Sequence, residues 1–259
     1  MTPGELEEIC VAAAEAGARV LRELFEKPRE ITLKGRIDLV TDADHASEKR
    51  VLRLLRERVP GAAVLAEESG ESGHGELRFI VDPLDGTTNY THGIPLFTCS
   101  VAAEMGGEVV AGCTVDPVRA EVFRAHRGGG AWLGDRKLSV SAVTKLEEAV
   151  VCTGFPYGGR ERLPRMLAAF GHFTELARGS RRLGSAALDL AYVAAGRLDL
   201  FWEEGLRPWD VAAGDLLVRE AGGLVTDFSG APLDISGGEI VAATPALHQT
   251  ALAVIRGAT

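Results

Sequence analysis

The chain has 259 residues, 46% hydrophobic and 25% charged, a soluble globular balance that suits one large domain or two closely packed lobes. A formal net charge of -9 argues against a general binder of nucleic acid or of membrane surfaces, because phosphate backbones and anionic lipids call for basic stripes. No apolar run approaches the ~18 residues that span a bilayer, and the acidic start MTPGELEEIC lacks the basic character of a secretory signal, so a cytoplasmic location is expected.

In chain order, GELEEICVAAAEAGARVLRELFE places Leu6, Ile9, Val20, Leu21 and Leu24 near helical spacing, which predicts a helix stopped at Lys27-Pro28. ITLKGRIDLVT reads as a strand, a turn at Lys34-Gly35 and a second extended piece. DADHASEKRVLRLLRERVPG predicts a helix opened by Asp/Ser-type caps and closed by Pro60-Gly61. AAVLAEE reads as a buried strand ending in acids, ESGHGE as a polar loop, and LRFIV as a strand running into VDPLDGTTNY. From Phe97 to Gly134, short β-prone runs broken by Gly-Gly, Asp-Pro and Gly-Gly-Gly predict a hairpin meander. The second half alternates: AVVCTGFPY as strand, ERLPRMLAAFGHFTELA and GSAALDLAYVAAG as helices, RLDLFWEEG as strand. PWDVAAGDLLVREAGG then reads as a helix with Pro at its start and Gly-Gly at its end, LVTDFSG and EIVAATP as strands, and ALHQTALAVIRG as a closing helix. This alternation predicts an α/β or α+β architecture with a mixed sheet, as one unit over 1–259 whose two lobes divide at roughly 140–150.

Four acidic positions end apolar runs or begin helices: Asp44, Glu67, the Asp82/Asp85 pair and Asp210. If they converged, two carboxylates ~5 Å apart at an effective dielectric of 20 would repel by roughly 3 kcal/mol, so the cluster would have to hold protons or cations. All-oxygen ligands suit Mg²⁺, Mn²⁺ or Ca²⁺ rather than zinc. Gly86 lets backbone approach an anion, and Thr87 and Thr88 could cap a short helix whose free amides bind phosphate. Residue pattern alone leaves a plain Asp-Gly turn with Thr caps equally open.

EES at Glu67–Ser69, DPLDGTTN at Asp82–Asn89 and WDVAAG at Trp209–Gly214, in that order and at those separations, resemble the signature motifs of the inositol monophosphatase family. GSAALDLAYVAAGRLD and GGGAW are similar to further stretches of bacterial members, and the likeness runs from DLVTDAD to IVAATP. The resemblance implies a layered αβαβα sandwich of the sugar-phosphatase type with mixed sheets, acting as a magnesium-dependent phosphomonoesterase on a small phosphorylated polyol. It implies Glu67, Asp82, Asp85 and Asp210 as metal ligands, with the backbone carbonyl of Leu84, for about two or three Mg²⁺ per site, Mn²⁺ being an alternative. Asp44, with Asp42 as its rival, would pair with Thr87 to orient and deprotonate an attacking water activated by the metal, without a phosphoenzyme; Gly86 and Thr87 would give amides to the phosphate.

The resemblance further implies Glu203 as acceptor for the polyol hydroxyls and Gly184, Ser185 and Ala186 as the loop lining the sugar pocket. Glu204, where relatives often carry an apolar residue, competes with Glu203, and Lys34 falls in the loop that completes a metal site in relatives. Lithium sensitivity and a homodimer follow from the same likeness. Alternative substrates are fructose 1,6-bisphosphate, histidinol phosphate or a 3'-phosphoadenosine nucleotide; a non-catalytic metal- and phosphate-binding role is the rival of another class. The remaining signals are bland. Cys10, Cys99, Cys113 and Cys152 form no CxxC pair and read as reduced core thiols, the six histidines share no ligand spacing, Glu68 reads as support for Glu67, and GSRRLGS reads as a solvated loop.

Overall fold

The computed structural model describes residues 1–25, 27, 31–33, 39–156 and 161–257; Lys34 and the turn at Lys34-Gly35 lie outside the described residues. The chain opens with α1 (Pro3–Leu24), the antiparallel pair β1 (Ile31–Leu33) and β2 (Leu39–Thr41), and α2 (Asp42–Arg58). Next come β3 (Ala63–Ala66), β4 (Gly70–Ser72), β5 (Leu77–Asp85), the short α3 (Thr87–Thr91), and the meander β6 (Thr98–Met105), β7 (Glu108–Asp116), β8 (Glu121–His126), β9 (Gly130–Leu133) and β10 (Arg136–Lys137). The second half supplies β11 (Val150–Thr153), α4 (Leu163–Leu176), β12 (Gly179–Arg181), α5 (Ala186–Ala194) and β13 (Leu200–Glu204). It closes with α6 (Pro208–Glu220), β14 (Leu224–Thr226), β15 (Glu239–Ala243) and α7 (Pro245–Gly257).

Two mixed sheets result. An eight-stranded sheet runs β10-β9-β8-β7-β6-β5-β3-β4, antiparallel except where β3 and β5 run parallel. A five-stranded sheet runs β12-β11-β13-β15-β14, with β12, β11 and β13 parallel. α1 and α2 cover the outer face of the first sheet, α4 and α7 the outer face of the second, and α5 and α6 lie between the two. The layers are therefore α, β, α, β, α, the expected sandwich.

Composition accounts for the layering. Helices covered on one side need one apolar stripe, whereas α5 and α6 meet a sheet on either side and are small and apolar nearly all round. Ala186, Ala187, Leu188, Leu190, Ala191, Val193 and Ala194 in α5, and Val211, Ala212 and Ala213 in α6, are all buried. Within α5 this leaves one discordant residue, the buried Asp189.

Local details differ from expectation at three places. α2 is opened by Thr41, whose backbone N–H donates to Asp44 Oδ2 at 2.8 Å while its own hydroxyl accepts from Ala43, so a threonine rather than an Asp/Ser residue is the cap. The polar loop ESGHGE begins with β4, which pairs with β3. GSRRLGS is not simply a solvated loop: its first three residues form the edge strand β12 beside β11.

Candidate active site

β5 carries the first acids. Its pairing with β6 shifts register between Asp82 and Asp85, and such a bulge re-aims side chains at a strand end. Asp82 is buried and its Oδ1 accepts from the Leu84 N–H at 3.0 Å. Asp85 Oδ2 accepts from Ser185 Oγ and from the Ala187 N–H, each at 2.7 Å. Asp210 sits three residues after Arg207, the N-cap of α6, and its Oδ2 accepts the Arg207 N–H at 2.6 Å. These three carboxylates offer oxygens all within 4.8 Å of one another. Glu67 follows β3, tied back by its N–H to Val81 O at 3.1 Å, and lines the same cavity as the three aspartates.

Burial and mutual repulsion act together on the cluster. Burial, then the charges of Glu67, Asp85 and Asp210, push Asp82 well above the usual carboxylate range. Burial lifts Asp85 to about 6 against the lowering effect of the Ser185 and Ala187 hydrogen bonds. Burial and Asp85 raise Asp210. Converging oxygen-only donors that resist ionising together suit a hard divalent cation such as Mg²⁺, and carry no nitrogen or sulfur that would favour zinc.

Beside the cluster, Gly86 adopts φ +98° and is the N-cap of α3, so Thr87 is the first helical residue and not a cap. The Thr87 hydroxyl lies 3.1 Å from Asp44 Oδ1 and 3.1 Å from Leu84 O, able to donate its one proton to either. Asp44 is fully buried, with Oδ2 also taking the Thr41 hydroxyl at 2.5 Å. Asp42 is exposed at the start of α2, so Asp44, not Asp42, is the acid brought to Thr87.

The cluster opens into a cavity of about 600 Å³, a volume typical of small-molecule sites. Gly86, Thr87, Thr88, Gly184, Ser185, Ala186 and Glu203 all line it. Glu203 is buried, and burial, then Asp189 and Asp85, raise its carboxyl well above the usual range. Its neighbour Glu204 points through the other face of the strand, where Arg165 Nη2 reaches it at 2.5 Å and Arg162 Nε at 3.4 Å. Alternation along β13 thus separates the two glutamates that the sequence set side by side.

Two wall residues, Asp189 and Arg182, and one residue behind the wall, Asn89, were not singled out by sequence reasoning for this place. Asp189 lines the cavity with Oδ1 lacking a hydrogen-bond partner; the signal was one acid in an otherwise apolar helix. Arg182, read as part of a solvated loop, lines the cavity with its guanidinium 5.8 Å from the Phe155 ring centroid. Asn89, inside the quoted motif, holds the Gly184 loop by its side-chain amide. Among the described residues no histidine lines this cavity, and all four cysteines are buried and free. Glu68 is tied to α2, its N–H donating to Glu48 Oε2 at 2.9 Å. Among the described residues no helix is long and apolar enough to cross a membrane.

Comparison with known proteins agrees with this geometry. The sequence profile described as the inositol monophosphatase family matches residues 3–258. An inositol-1-monophosphatase of Mesorhizobium japonicum is 44% identical over 248 residues, 95% of this chain and 93% of the relative. The Nus factor SuhB of Pasteurella multocida is 41% identical over 241 residues, 92% of this chain and 90% of the relative. The crystal structure of the extragenic suppressor protein suhB from Bartonella henselae superposes with a TM-score of 0.93 at 42% identity, covering 96% of this chain and 97% of that one.

Proposed function

The chain belongs to the inositol monophosphatase family, and from that premise we propose that it is a magnesium-dependent phosphomonoesterase that hydrolyses inositol monophosphate to inositol and phosphate. The observation that carries this reading is the Thr87 hydroxyl held against buried Asp44 at the edge of the three-carboxylate cluster. A protein that only bound metal and phosphate would need Asp44 Oδ2 to cap α2 at Thr41, but not Oδ1 against the Thr87 hydroxyl.

We assign Glu67, Asp82, Asp85, Asp210 and the Leu84 carbonyl as the ligands that would hold magnesium. Bound magnesium would supply Lewis acidity toward the phosphoryl oxygens and toward a coordinated water. The protein's own groups do the rest. Gly86 and Thr87 offer amides to the phosphate. Thr87 accepts a hydrogen bond from the attacking water while passing its own proton to Asp44, so the buried acid acts as base through the hydroxyl. The water oxygen forms the new P–O bond, the bridging P–O bond breaks, and the departing alcohol oxygen takes a proton from solvent; no side chain becomes phosphorylated.

The far wall receives the alcohol. Glu203 is an acceptor for hydroxyls, and Gly184, Ser185 and Ala186 shape the space around the ring. Lithium inhibition, a homodimer and a cytoplasmic location are part of the same proposal. The relative named as a Nus factor supports a second reading, in which the fold serves a regulatory complex.

The test is phosphate release from myo-inositol 1-phosphate with and without Mg²⁺. Release that needs Mg²⁺ is the expected result. Turnover of another phosphate ester but not of inositol phosphate would discard the assignment of Glu203, and no turnover of any ester by folded, metal-bound protein would favour the regulatory reading.

A further inference from the structure

Asn89 is buried, lies in α3 two residues after Thr87, and does not line the cavity. Its Nδ2 lies 2.7 Å from Leu96 O, 2.7 Å from Leu183 O and 3.4 Å from Gly184 O. The amide orientation follows from these partners, since turning it would set its own oxygen against three carbonyls. The junction it spans is tight. A Cβ on Gly86 would come within 3.2 Å of Gly184 O, and a Cβ on Gly184 within 3.0 Å of Asn89 Nδ2, while both glycines adopt positive φ. The helix that carries the phosphate-facing Thr87 is thereby pressed directly against the loop that shapes the alcohol's side of the cavity.

Among the described residues, two groups from the first half of the chain fasten that loop. Ser185 and Ala187 hold Asp85, a fastening that belongs to the metal cluster. Leu183 and Gly184 hang on Asn89, which touches neither the cluster nor the cavity. Asn89 therefore reaches the reaction through the position of residues 183–184, and through Leu96, whose carbonyl a Cβ on Gly86 would meet at 3.0 Å.

We propose that Asn89 is a positioning residue that sets the register between the phosphate end of the cavity and the leaving-group wall, and so determines selectivity for hydroxylated leaving groups. The inference rests on the reading of Gly184–Ala186 and Glu203 as that wall. Without the latch the phosphate end keeps its groups, but the wall no longer meets the alcohol in a fixed place, and an ester that makes no use of the wall is spared.

The experiment compares wild type with Asn89→Ala and the milder Asn89→Ser on two esters, myo-inositol 1-phosphate and p-nitrophenyl phosphate, whose leaving group bears no further hydroxyls. We expect kcat/KM for the inositol ester to fall about 10- to 100-fold, the scale of two lost buried hydrogen bonds, while that for the aryl ester falls less than about 3-fold. Amide hydrogen exchange at residues 183–187 should quicken by about 10-fold or more in the same variants. Turnover of the aryl ester reports folding, and if the alanine variant does not fold the serine variant is judged by the same ratio. An equal loss on both esters, no loss on either, or unchanged exchange at 183–187 overturns the latch. A wild-type enzyme with no preference between the esters removes the reading of the wall itself, and the inference with it.

Discussion

Ser185 donates its hydroxyl to Oδ2 of Asp85 at 2.7 Å, although the two residues stand 100 positions apart. The Ala187 N–H takes the same oxygen, so the start of α5, an element of the second half, fixes an acid presented by the first. The Asp85 oxygen that remains for a cation is Oδ1. The three-carboxylate cluster and the Gly184–Ala186 loop are thus built on one joint.

Removing the charge of Asp85 separates its two effects. Asp85→Asn should lower Mg²⁺-dependent turnover by about 10³-fold, the scale of losing one group that stabilises developing charge. It should not lower the melting temperature of metal-free protein at neutral pH, because the amide oxygen can still accept from Ser185 and Ala187 while a buried charge that also raises Asp82 and Asp210 is gone. Thermal melts with and without Mg²⁺ check this: the stabilisation that Mg²⁺ gives wild type through preferential binding to the folded state should shrink in the variant. A variant with the full magnesium shift and full turnover would remove Asp85 from the ligand set.

Thr87 and Asp44 should behave as a pair. Thr87→Ala should cost about 10²- to 10⁴-fold in kcat, the range for a lost proton-transfer partner, and Thr87→Ser, which keeps the hydroxyl, should recover most of it. Asp44→Asn should match the alanine variant in kcat yet stay within ~1 kcal/mol of wild type in stability, because the new amide oxygen can still accept the Thr41 N–H. If chemical denaturation shows Asp44→Asn losing several kcal/mol with kcat unchanged, Asp44 is a helix cap and nothing more.

The alternation of helix and strand was legible in residue periodicity, and the motif acids stand at the ends of apolar runs or the starts of helices; the αβαβα layering was implied by the family resemblance, because contacts between residues far apart in sequence decide which sheet face a helix covers. What could not be read was side-chain direction. Glu203 and Glu204 are adjacent letters that point to opposite faces of β13, and only the sheet register decides which meets the cavity and which meets Arg165. The partner of Asp85 was hidden for another reason: Ser185 looks like an N-cap, yet it makes no cap hydrogen bond and spends its hydroxyl on Asp85, 100 positions away in the chain. Asn89 was similarly masked by the motif around it, since two of its three carbonyl partners, Leu183 and Gly184, come from a loop more than ninety residues away.

Glu204 should therefore be a structural residue. Arg165→Ala would leave its buried carboxylate with Arg162 alone at 3.4 Å, and should destabilise the protein by about 1–2 kcal/mol, the pair being partly open to solvent on the arginine side. A double-mutant cycle of Arg165→Ala with Glu204→Gln, followed by urea denaturation, should give a favourable coupling energy, and kcat of either single variant should stay within about 3-fold of wild type. A coupling energy near zero, or a selective loss of turnover in Glu204→Gln, would return Glu204 to the substrate site.

Glu203 carries the pH prediction. Burial, Asp189 and Asp85 raise its carboxyl well above its usual 4.5, against the opposing charge of Arg182. The folded protein therefore binds more protons than the unfolded chain between 4.5 and the raised value, and stability contributed by this group falls as pH rises through that window. Glu203→Gln removes the dependence, so the variant should gain on wild type in melting temperature at pH 8 relative to pH 4.5, both measured without Mg²⁺. Preference for myo-inositol 1-phosphate over p-nitrophenyl phosphate should drop in the same variant, because an amide offers one acceptor oxygen and sets an NH₂ donor where the carboxyl's other oxygen stood. Parallel melting curves for the two proteins across this range would show that Glu203 is ionised in the folded state throughout, already neutralised by Arg182. An unchanged ester preference would place the polyol contacts elsewhere in the cavity, where Asp189 Oδ1 is an acceptor without a hydrogen-bond partner.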